Sequence, residues 1–158
     1  MGLPPYPRGL TRDPLASAPR GLRASERSVS VPAHARDAVA ALVSSWEFKS
    51  RAGFETPSGR PVAGREGVLA KRVLGIRFAE PVRVVWADGS GFGYETRPGH
   101  PLYGEESFRL DGDGVFTARS VSRPATWPWR LAAPLLRVMQ WRTHRRYVGI
   151  VQDCVAGR

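Results

Sequence analysis

The spacing of hydrophobic and polar residues divides the chain into a helical segment, a β-rich middle and a second helical segment. Residues 27–31 (Arg-Ser-Val-Ser-Val) alternate polar and apolar side chains, which predicts a short strand. Pro32 suits the first turn of a helix, because that position needs no backbone N–H. A helix is predicted over 33–48. Its apolar residues recur at helical spacing and predict one buried face, made of Ala35, Val39, Leu42, Val43 and Trp46.

The middle of the chain, residues 51–123, has the pattern of an antiparallel sheet. Short β-prone runs alternate with turn signals rich in Gly, Pro and Asp, such as Asp-Gly-Asp-Gly at 111–114. The predicted strands cover 51–56, 65–74, 81–88, 91–98, 104–110 and 115–123. Together with the strand at 27–31 they make about seven strands.

The C-terminal segment, residues 125–153, is predicted to be helical. Pro134 lies inside it, and proline lacks the N–H and clashes with the preceding turn, so a kink or a new helix start is expected there. The favoured interpretation is a long helix with one core face and one charged face. Residues that fall near one stripe are Leu131, Leu135, Val138, Met139, Arg142, Arg146 and Tyr147.

This order of elements is typical of one fold. A strand, a helical stretch, further antiparallel strands and a long C-terminal helix predict an α+β helix-grip fold of the START-like or Bet v-like type. In that fold a curved sheet wraps the last helix and often leaves an apolar cavity between them. We expect a proline- and arginine-rich arm at 1–25 and a single domain at 26–158.

The segment from 92 to 147 resembles a bacterial and plant family known as domain of unknown function nineteen-ninety. Its hallmark is a Tyr-x-Thr-x-Pro-Gly-His-Pro-x-x-Gly-Glu-Glu-x-Phe run, followed by Ser-Arg-Pro, Gln and Arg-Arg-Tyr. The matching residues are Tyr94, Thr96, Pro98, Gly99, His100, Pro101, Gly104, Glu105, Glu106, Phe108, Ser122, Arg123, Pro124, Gln140, Arg145, Arg146 and Tyr147, with Gly2, Leu3 and Tyr6 at the start. Because that family has no established activity, the resemblance implies a shape more than a reaction.

The motif Pro98-Gly99-His100-Pro101 predicts a turn by stereochemistry alone, since proline presets φ and glycine accepts positive φ. If the turn centres on residue 100, paired positions sum to 200. Phe92 then faces Phe108, and Tyr94 faces Glu106, on an aromatic and therefore concave face. Glu106 is predicted to lie inside the cavity with Tyr94 as a hydrogen-bond donor. Glu105 is predicted to point outward, where replacing it by Gln costs little.

The neighbour of Glu106 on the next strand depends on the loop at 111–114. An even-length loop places Arg119 opposite Glu106, whereas a three-residue loop with a glycine bulge places Ser120 there. The first arrangement is a structural ion pair. The second leaves a polar position that can orient a ligand. Arg123, at the junction between strand and helix, is a candidate clamp for an anionic group at the cavity mouth.

Two interpretations of His100 are open. It is a candidate general acid or base oriented by Glu105 or Glu106, or a turn residue that bonds backbone groups, and the second is favoured. His34 and His144 are predicted to have solvent or core roles on helices. No nucleophile motif, phosphate loop, dinucleotide fingerprint or metal-ligand spacing occurs, so no cofactor and no metal are predicted.

The net charge of +10 is concentrated at the two ends of the chain. Residues 37–122 hold eleven basic and eleven acidic residues, whereas residues 123–158 hold seven basic and one acidic residue. Only Lys49 and Lys71 are lysines among the 24 basic residues, a ratio that a GC-rich genome produces without any function. Nucleic-acid binding is therefore not expected. A basic adaptor for an anionic surface, either nucleic acid or membrane, stays as an alternative.

The sequence thus predicts a cytoplasmic protein without a secretory signal or a transmembrane segment. The favoured function is non-catalytic binding of a small, largely apolar or amphipathic ligand between the sheet and the C-terminal helix. An enzyme that uses His100 and Glu106 is the second interpretation. Candidate ligand-binding residues are Tyr94, Glu106, Phe108, Arg119, Ser120 and Arg123.

Overall fold

The computed structural model describes residues 6–158, which contain one six-stranded antiparallel sheet. Its strands are β1 (Arg23–Ser30), β2 (Glu66–Val73), β3 (Ile76–Asp88), β4 (Gly91–Thr96), β5 (Leu102–Leu110) and β6 (Val115–Pro124). Their order across the sheet is β1-β6-β5-β4-β3-β2. The strands after β1 are therefore neighbours in sequence order, and β1 closes the sheet against β6.

Four helices complete the domain: α1 (Arg36–Val43), α2 (Glu47–Arg51), α3 (Trp127–Leu131) and α4 (Ala133–Val155). A single 3-10 turn, Ala33–Ala35, precedes α1. The break expected at Pro134 is confirmed, because α4 begins at Ala133 and carries this proline in its first turn. Within residues 6–158, no helix combines the length and the apolar content that crossing a bilayer requires.

The strand predicted at 51–56 is wrong. Its first residue ends α2, and Gly53 then reverses the chain with a φ of 91°. Only Glu55 forms an isolated bridge to the sheet, at Ala70. The strand predicted at 27–31 begins earlier, at Arg23, inside the stretch expected to be an arm. Gly2 and Leu3, which belong to the motif at the start of the chain, lie outside the described residues.

The hydrophobic core fills the space between the inner face of the sheet, the helices α1 and α2, and the C-terminal half of α4. Aromatic rings form its centre: the Phe108 ring lies 4.9 Å from that of Phe48 and 4.8 Å from that of Tyr147. Phe92 pairs with Phe108 across β4 and β5, as the parity of the hairpin predicts. The core thus holds α4 to the sheet through Tyr147.

The apolar stripe predicted along the C-terminal helix is only half buried. The buried residues of α4 all come from its second half: His144, Tyr147, Ile150 and Val151. Leu131, Leu135 and Val138, which were expected to face the core, are instead exposed. The prediction of one continuous core face is therefore wrong for α3 and the first half of α4, where the helices border a cavity rather than a packed core.

The outer face of the sheet is covered by the segment before β1. Glu105 points outward as predicted, but it is 1% exposed because this segment lies over it. Its carboxylate accepts hydrogen bonds from the backbone N–H of Gly9 (2.8 Å) and from the N–H and hydroxyl of Thr11 (3.0 and 2.6 Å). Burial raises the pKa of Glu105, and these bonds oppose the rise. The expectation of a solvent-facing Glu105 was wrong.

Candidate functional site

A cavity of about 240 Å³ lies between the inner face of the sheet and the helices α3 and α4. Much of its wall is apolar and comes from the β2–β3 hairpin and from the two helices. These residues are Val73, Leu74, Ile76, Phe78, Trp129, Leu135, Leu136 and Met139. Leu74, Ile76 and Leu135 are also exposed, so the cavity opens to the outside between the hairpin tip and α4.

A buried lysine organises the polar groups of this cavity. Lys49, on α2, is 1% exposed and carries three donor hydrogens on its ammonium. It donates to the hydroxyls of Tyr94 (2.9 Å) and Tyr147 (2.6 Å) and to the carboxylate of Glu106 (3.4 Å). Its ammonium also lies 3.8 Å from the centre of the Phe54 ring. A buried charge needs such partners, because an unpaired ammonium is costly in an apolar interior.

Glu106 is the anionic centre of the cluster. Its Oε2 accepts from Lys49 and from the Tyr94 hydroxyl, and its Oε1 lies 3.2 Å from Nε2 of His144. Burial alone would raise the pKa of Glu106. The charge of Lys49 and the hydrogen bonds from His144 and Tyr94 outweigh burial and lower the pKa to about 2. Glu106 is therefore ionised at neutral pH.

The two tyrosines of the cluster are locked in the protonated form. Burial and the neighbouring charge of Glu106 raise the pKa of Tyr94 and that of Tyr147 well above the ordinary value. The Tyr94 hydroxyl donates a hydrogen bond to the carboxylate of Glu106. The Tyr147 hydroxyl accepts from Lys49, and no acceptor for its own proton lies within hydrogen-bond distance among residues 6–158. Tyr147 is 0% exposed, so this hydroxyl contacts Lys49 and does not reach the open part of the cavity.

Two hairpins place these side chains on one face. Tyr94 pairs with Glu106 across β4 and β5, so the predicted register is confirmed. In the next hairpin Asp111 pairs with Val115, and Gly114 adopts a φ of 83°. This is the three-residue loop with a positive-φ glycine, and it sets Ser120 opposite Glu106. Of the two registers that the sequence left open, the second is the one observed.

Ser120 is a second polar group on the cavity wall. Its hydroxyl accepts from Nε2 of Gln140 on α4 at 2.7 Å, a bond that ties β6 to the helix. No acceptor for the hydroxyl proton of Ser120 lies within hydrogen-bond distance in the described chain. Ser120 and Gln140 both line the cavity. The Ser120 hydroxyl is thus a donor on the wall of a largely apolar space.

His100 has the geometry of a turn residue. The backbone N–H of His100 donates to the carbonyl of Arg97 (3.1 Å), and Nδ1 of His100 accepts from the backbone N–H of Leu102 (2.9 Å). The preceding residue, Gly99, has a φ of 98°. Its Nε2 lies 3.5 Å from the carboxylate of Glu80. The predicted orientation of His100 by Glu105 or Glu106 was therefore wrong. A shared His100–Glu106 catalytic pair has no support in this geometry.

The structure separates the six predicted ligand-binding residues. Tyr94, Glu106 and Ser120 line the cavity. Phe108 is fully buried in the aromatic core and does not contribute to the cavity wall. Arg119 points to the outer face, where it bonds Glu26 (2.6 Å) and the carbonyl of Thr11 (2.9 Å), because Ser120 takes the inner position.

The sequence predicted Arg123 at the cavity mouth, and this prediction was wrong. Its guanidinium stacks over the Tyr103 ring at 5.7 Å and lines a separate surface groove beside α4. That groove is formed with Gly21, with the first residues of β1 and with Arg137, Gln140 and Trp141. Arg123 therefore does not act as a clamp for a ligand in the main cavity.

The sequence analysis did not identify Lys49 as a site residue, and it predicted only a solvent or core role for His144. Lys49 lies on α2, just beyond the end of the helix predicted at 33–48, and His144 comes from α4, 38 positions away from its partner Glu106. One signal was available. Lys49 and Lys71 are the only lysines in a chain with 22 arginines, and both line the cavity. The ammonium is a compact charge with three donors, and Lys49 directs them to three different oxygens.

Lys71 and Glu80 lie on the β2–β3 hairpin and complete the charged groups of the wall. Lys71 is half-buried, its ammonium lies 4.7 Å from the Phe54 ring, and burial together with the charge of Lys49 lowers its pKa. No carboxylate lies within 4.0 Å of it among the described residues. In the same part of the chain, no group of three His, Cys, Asp or Glu side chains converges to hold a metal ion.

Solved structures with the same architecture support this description of the fold. Ginseng major latex-like protein 151 from Panax ginseng matches with a TM-score of 0.54 at 11% identity, over 80% of this chain and 94% of that chain. Protein MLL2253 from Mesorhizobium loti matches with a TM-score of 0.55 at 15% identity, over 84% and 96%. The di-domain ARO/CYC StfQ from the steffimycin biosynthetic pathway matches with a TM-score of 0.56 at 15% identity, over 87% and 51%.

These neighbours are helix-grip proteins of the Bet v and START type, so the predicted α+β helix-grip fold is confirmed. In sequence, a UPF0548 protein from Deinococcus radiodurans is 38% identical over 95 residues. That match covers 58% of this chain and 44% of the relative, so the shared region is less than half of the relative's length. The family profile described as domain of unknown function, DUF1990, matches residues 8–149, and the chain therefore belongs to this family.

Proposed function

We propose that this protein binds a small, largely apolar ligand in the cavity between the sheet and α4, without catalysing a reaction on it. One observation carries the proposal. The cavity has an extended apolar wall, and the charges of its polar cluster are already paired with one another. Apolar pockets with a few convergent polar groups are the usual form of small-molecule sites.

The polar cluster supplies orientation. Lys49 uses all three of its donors inside the protein, and Glu106 is satisfied by Lys49, Tyr94 and His144. The donors left for a ligand are the Lys71 ammonium, which has no carboxylate within 4.0 Å in the described chain, and the Ser120 hydroxyl. The arrangement therefore favours a ligand whose apolar body contacts the wall and whose single polar end accepts hydrogen bonds, such as a carbonyl, ether or hydroxyl oxygen.

The acidities in the cluster argue against acid–base catalysis by these groups. A general acid or base works best with a pKa near the ambient pH. The pKa of Glu106 is about 2, so its carboxylate is a weak base and is never protonated near neutrality. The pKa values of Tyr94 and Tyr147 are shifted in the opposite direction, well above 10. These shifts stabilise a fixed arrangement of charges instead of a proton transfer.

The shared fold is compatible with this proposal. StfQ, which belongs to a biosynthetic pathway, has the same architecture at 15% identity. At this identity the likeness shows the fold alone. The identity of the ligand is not carried over from that protein.

Binding can be tested with the neutral fluorescent probe N-phenyl-1-naphthylamine. We expect saturable one-to-one binding to the wild-type protein. Met139→Trp places a bulky ring in the cavity, because Met139 lines the wall, and we expect it to weaken binding at least tenfold. Val138→Trp is the matched control, since Val138 is adjacent on α4 but exposed and outside the cavity wall. Equal binding by both variants, or no binding by wild type, contradicts the proposal.

A further inference from the structure

Six large apolar side chains are exposed on the β2–β3 hairpin, on α3 and on the first half of α4, the elements that border the cavity. Their exposed fractions range from 54% for Val138 to 98% for Leu74. We call this set the mouth surface; its members are Leu74, Ile76, Trp127, Leu131, Leu135 and Val138. Scattered exposed apolar residues are ordinary, but a group of this size at one site usually marks an interaction surface.

The members of the mouth surface belong to neighbouring elements. Leu74, Ile76 and Leu135 all line the same cavity, which places the β2–β3 hairpin tip beside the first turns of α4. A ring contact of 6.3 Å between Phe78 and Trp129 joins the hairpin to α3, the helix that carries Trp127 and Leu131. Leu74, Ile76 and Leu135 therefore border the opening, whereas Trp127, Leu131 and Val138 lie on the adjoining helices outside the cavity wall.

The backbone conformation and the exposure of Leu74 are both unfavourable for folding. The two-residue turn between β2 and β3 has positive φ at both residues, 51° at Leu74 and 81° at Gly75. Such turns favour Asn-Gly or Gly-Gly, because a branched side chain is strained in the left-handed region. Leu74 thus combines backbone strain with an almost fully exposed apolar side chain. Neither property stabilises the fold, whereas both are compatible with insertion of the hairpin tip into an apolar medium.

The helices beside the opening carry only positive charge. Residues 125–146 contain no Asp or Glu and five arginines: Arg130, Arg137, Arg142, Arg145 and Arg146. Within the described chain, none of these has a carboxylate within 4.0 Å. Exposed Trp and Leu interleaved with Arg are the composition of helices that lie in the interface of a membrane. Arginine near an anionic lipid surface contributes binding energy that is additional to apolar insertion.

We propose that the mouth surface docks on an anionic lipid bilayer, with Leu74, Trp127 and Leu131 entering the interface and the arginines of α3 and α4 contacting lipid headgroups. A nucleic acid would use the arginines but leave the six apolar residues in water. A second copy of the chain would cover the apolar residues but bring the arginines of the two copies together. An anionic bilayer accounts for both features.

Docking in this orientation turns the cavity opening towards the lipid. An apolar ligand can then move between the bilayer and the cavity without crossing bulk water. Three of the four positions used to test docking, Arg130, Leu131 and Arg137, lie outside the cavity wall, and none of the four belongs to the polar cluster. Failure of probe binding in the cavity and failure of docking are therefore separate outcomes.

Vesicle sedimentation tests the proposal directly. We expect wild-type protein to bind vesicles of phosphatidylglycerol and phosphatidylcholine in equal amounts, and to bind pure phosphatidylcholine vesicles at least tenfold more weakly. Leu74→Asn combined with Leu131→Ser should reduce the partition coefficient about tenfold or more. Arg130→Gln combined with Arg137→Gln should reduce it about 10- to 30-fold. All four positions are exposed, so the variants are expected to fold, which circular dichroism checks.

Matched controls lie outside the mouth surface. Val62→Ser removes an apolar side chain that is 50% exposed in the loop before β2, and Arg20→Gln with Arg60→Gln removes two exposed arginines. We expect both controls to bind the mixed vesicles as wild type does. The proposal is overturned if wild type does not bind, if the apolar variant binds as well as wild type, or if the controls lose as much binding as the test variants. Tight duplex-DNA binding that depends only on the arginines also overturns it.

Discussion

Removing the ammonium of Lys49 is the sharpest test of the polar cluster. Lys49→Met keeps the apolar stem that packs beside Phe54 but removes the ammonium that pairs with Glu106 at 3.4 Å. The lowering of the Glu106 pKa from 4.5 to about 2 corresponds to roughly 3 kcal/mol in favour of the ionised carboxylate. Breaking a buried pair on one side costs about 3–5 kcal/mol. We therefore expect Lys49→Met to lower the free energy of unfolding by about 3 kcal/mol at pH 7.

Urea denaturation of a double-mutant cycle measures this value. Glu106→Gln should relieve part of the loss in the Lys49→Met background, with a coupling of at least about 1 kcal/mol, because no unpaired carboxylate is then left behind. Lys71→Met is the matched control. It removes the other lysine of the same cavity, which is half-buried and has no carboxylate within 4.0 Å in the described chain, and it should cost less than about 1 kcal/mol.

The reasoning is refuted if Lys49→Met and Lys71→Met cost the same, or if the effects of Lys49→Met and Glu106→Gln are simply additive. Either result would mean that the close contacts among Lys49, Tyr94 and Glu106 do not contribute energy as a unit.

Three further predictions follow from the geometry. Glu105→Gln should cost about 2 kcal/mol or more in a urea melt, because its carboxylate accepts three hydrogen bonds from the segment before β1 and an amide cannot accept all of them; a change within 0.5 kcal/mol would contradict this. Gly104→Ala should cost at least about 3 kcal/mol, since a Cβ there would overlap the carbonyl oxygen of Val121, and normal stability would show that the strands can separate. The stability supplied by ionised Glu106 should be fully present above pH 4.5 and be lost as the pH falls towards 2. A carboxyl group whose pKa is lower in the folded state than in the unfolded state favours folding only while it is ionised. A difference in stability between wild type and Glu106→Gln that does not change with pH would contradict this prediction.

Local stereochemistry made the central hairpin predictable. The turn at Pro98-Gly99-His100 fixed which residues face one another, and parity then placed Tyr94 and Glu106 on the inner face. The next hairpin was left with two registers, because a positive-φ glycine such as Gly114 can sit in either loop. A shift of one residue exchanges the two faces of a strand, which decides between Arg119 and Ser120.

Contacts between distant parts of the chain could not be derived in this way. The ammonium of Lys49 meets Glu106 across 57 positions, and the segment at Gly9 covers Glu105 across 96 positions. Neither contact leaves a periodic pattern in the sequence. Helical periodicity predicted an apolar stripe that includes Leu135, and this stripe is present. The periodicity could not show whether the stripe faces a packed core or is exposed beside a cavity, because both arrangements have the same spacing.

Native mass spectrometry of the gently purified protein tests ligand binding in the cavity most directly. We expect a one-to-one adduct of a small organic molecule in the wild-type spectrum. The adduct should be retained in Val138→Trp and absent from Met139→Trp, whose added ring occupies the cavity. A wild-type spectrum that shows only the mass of the bare chain, or an adduct that Met139→Trp retains in full, would contradict the account.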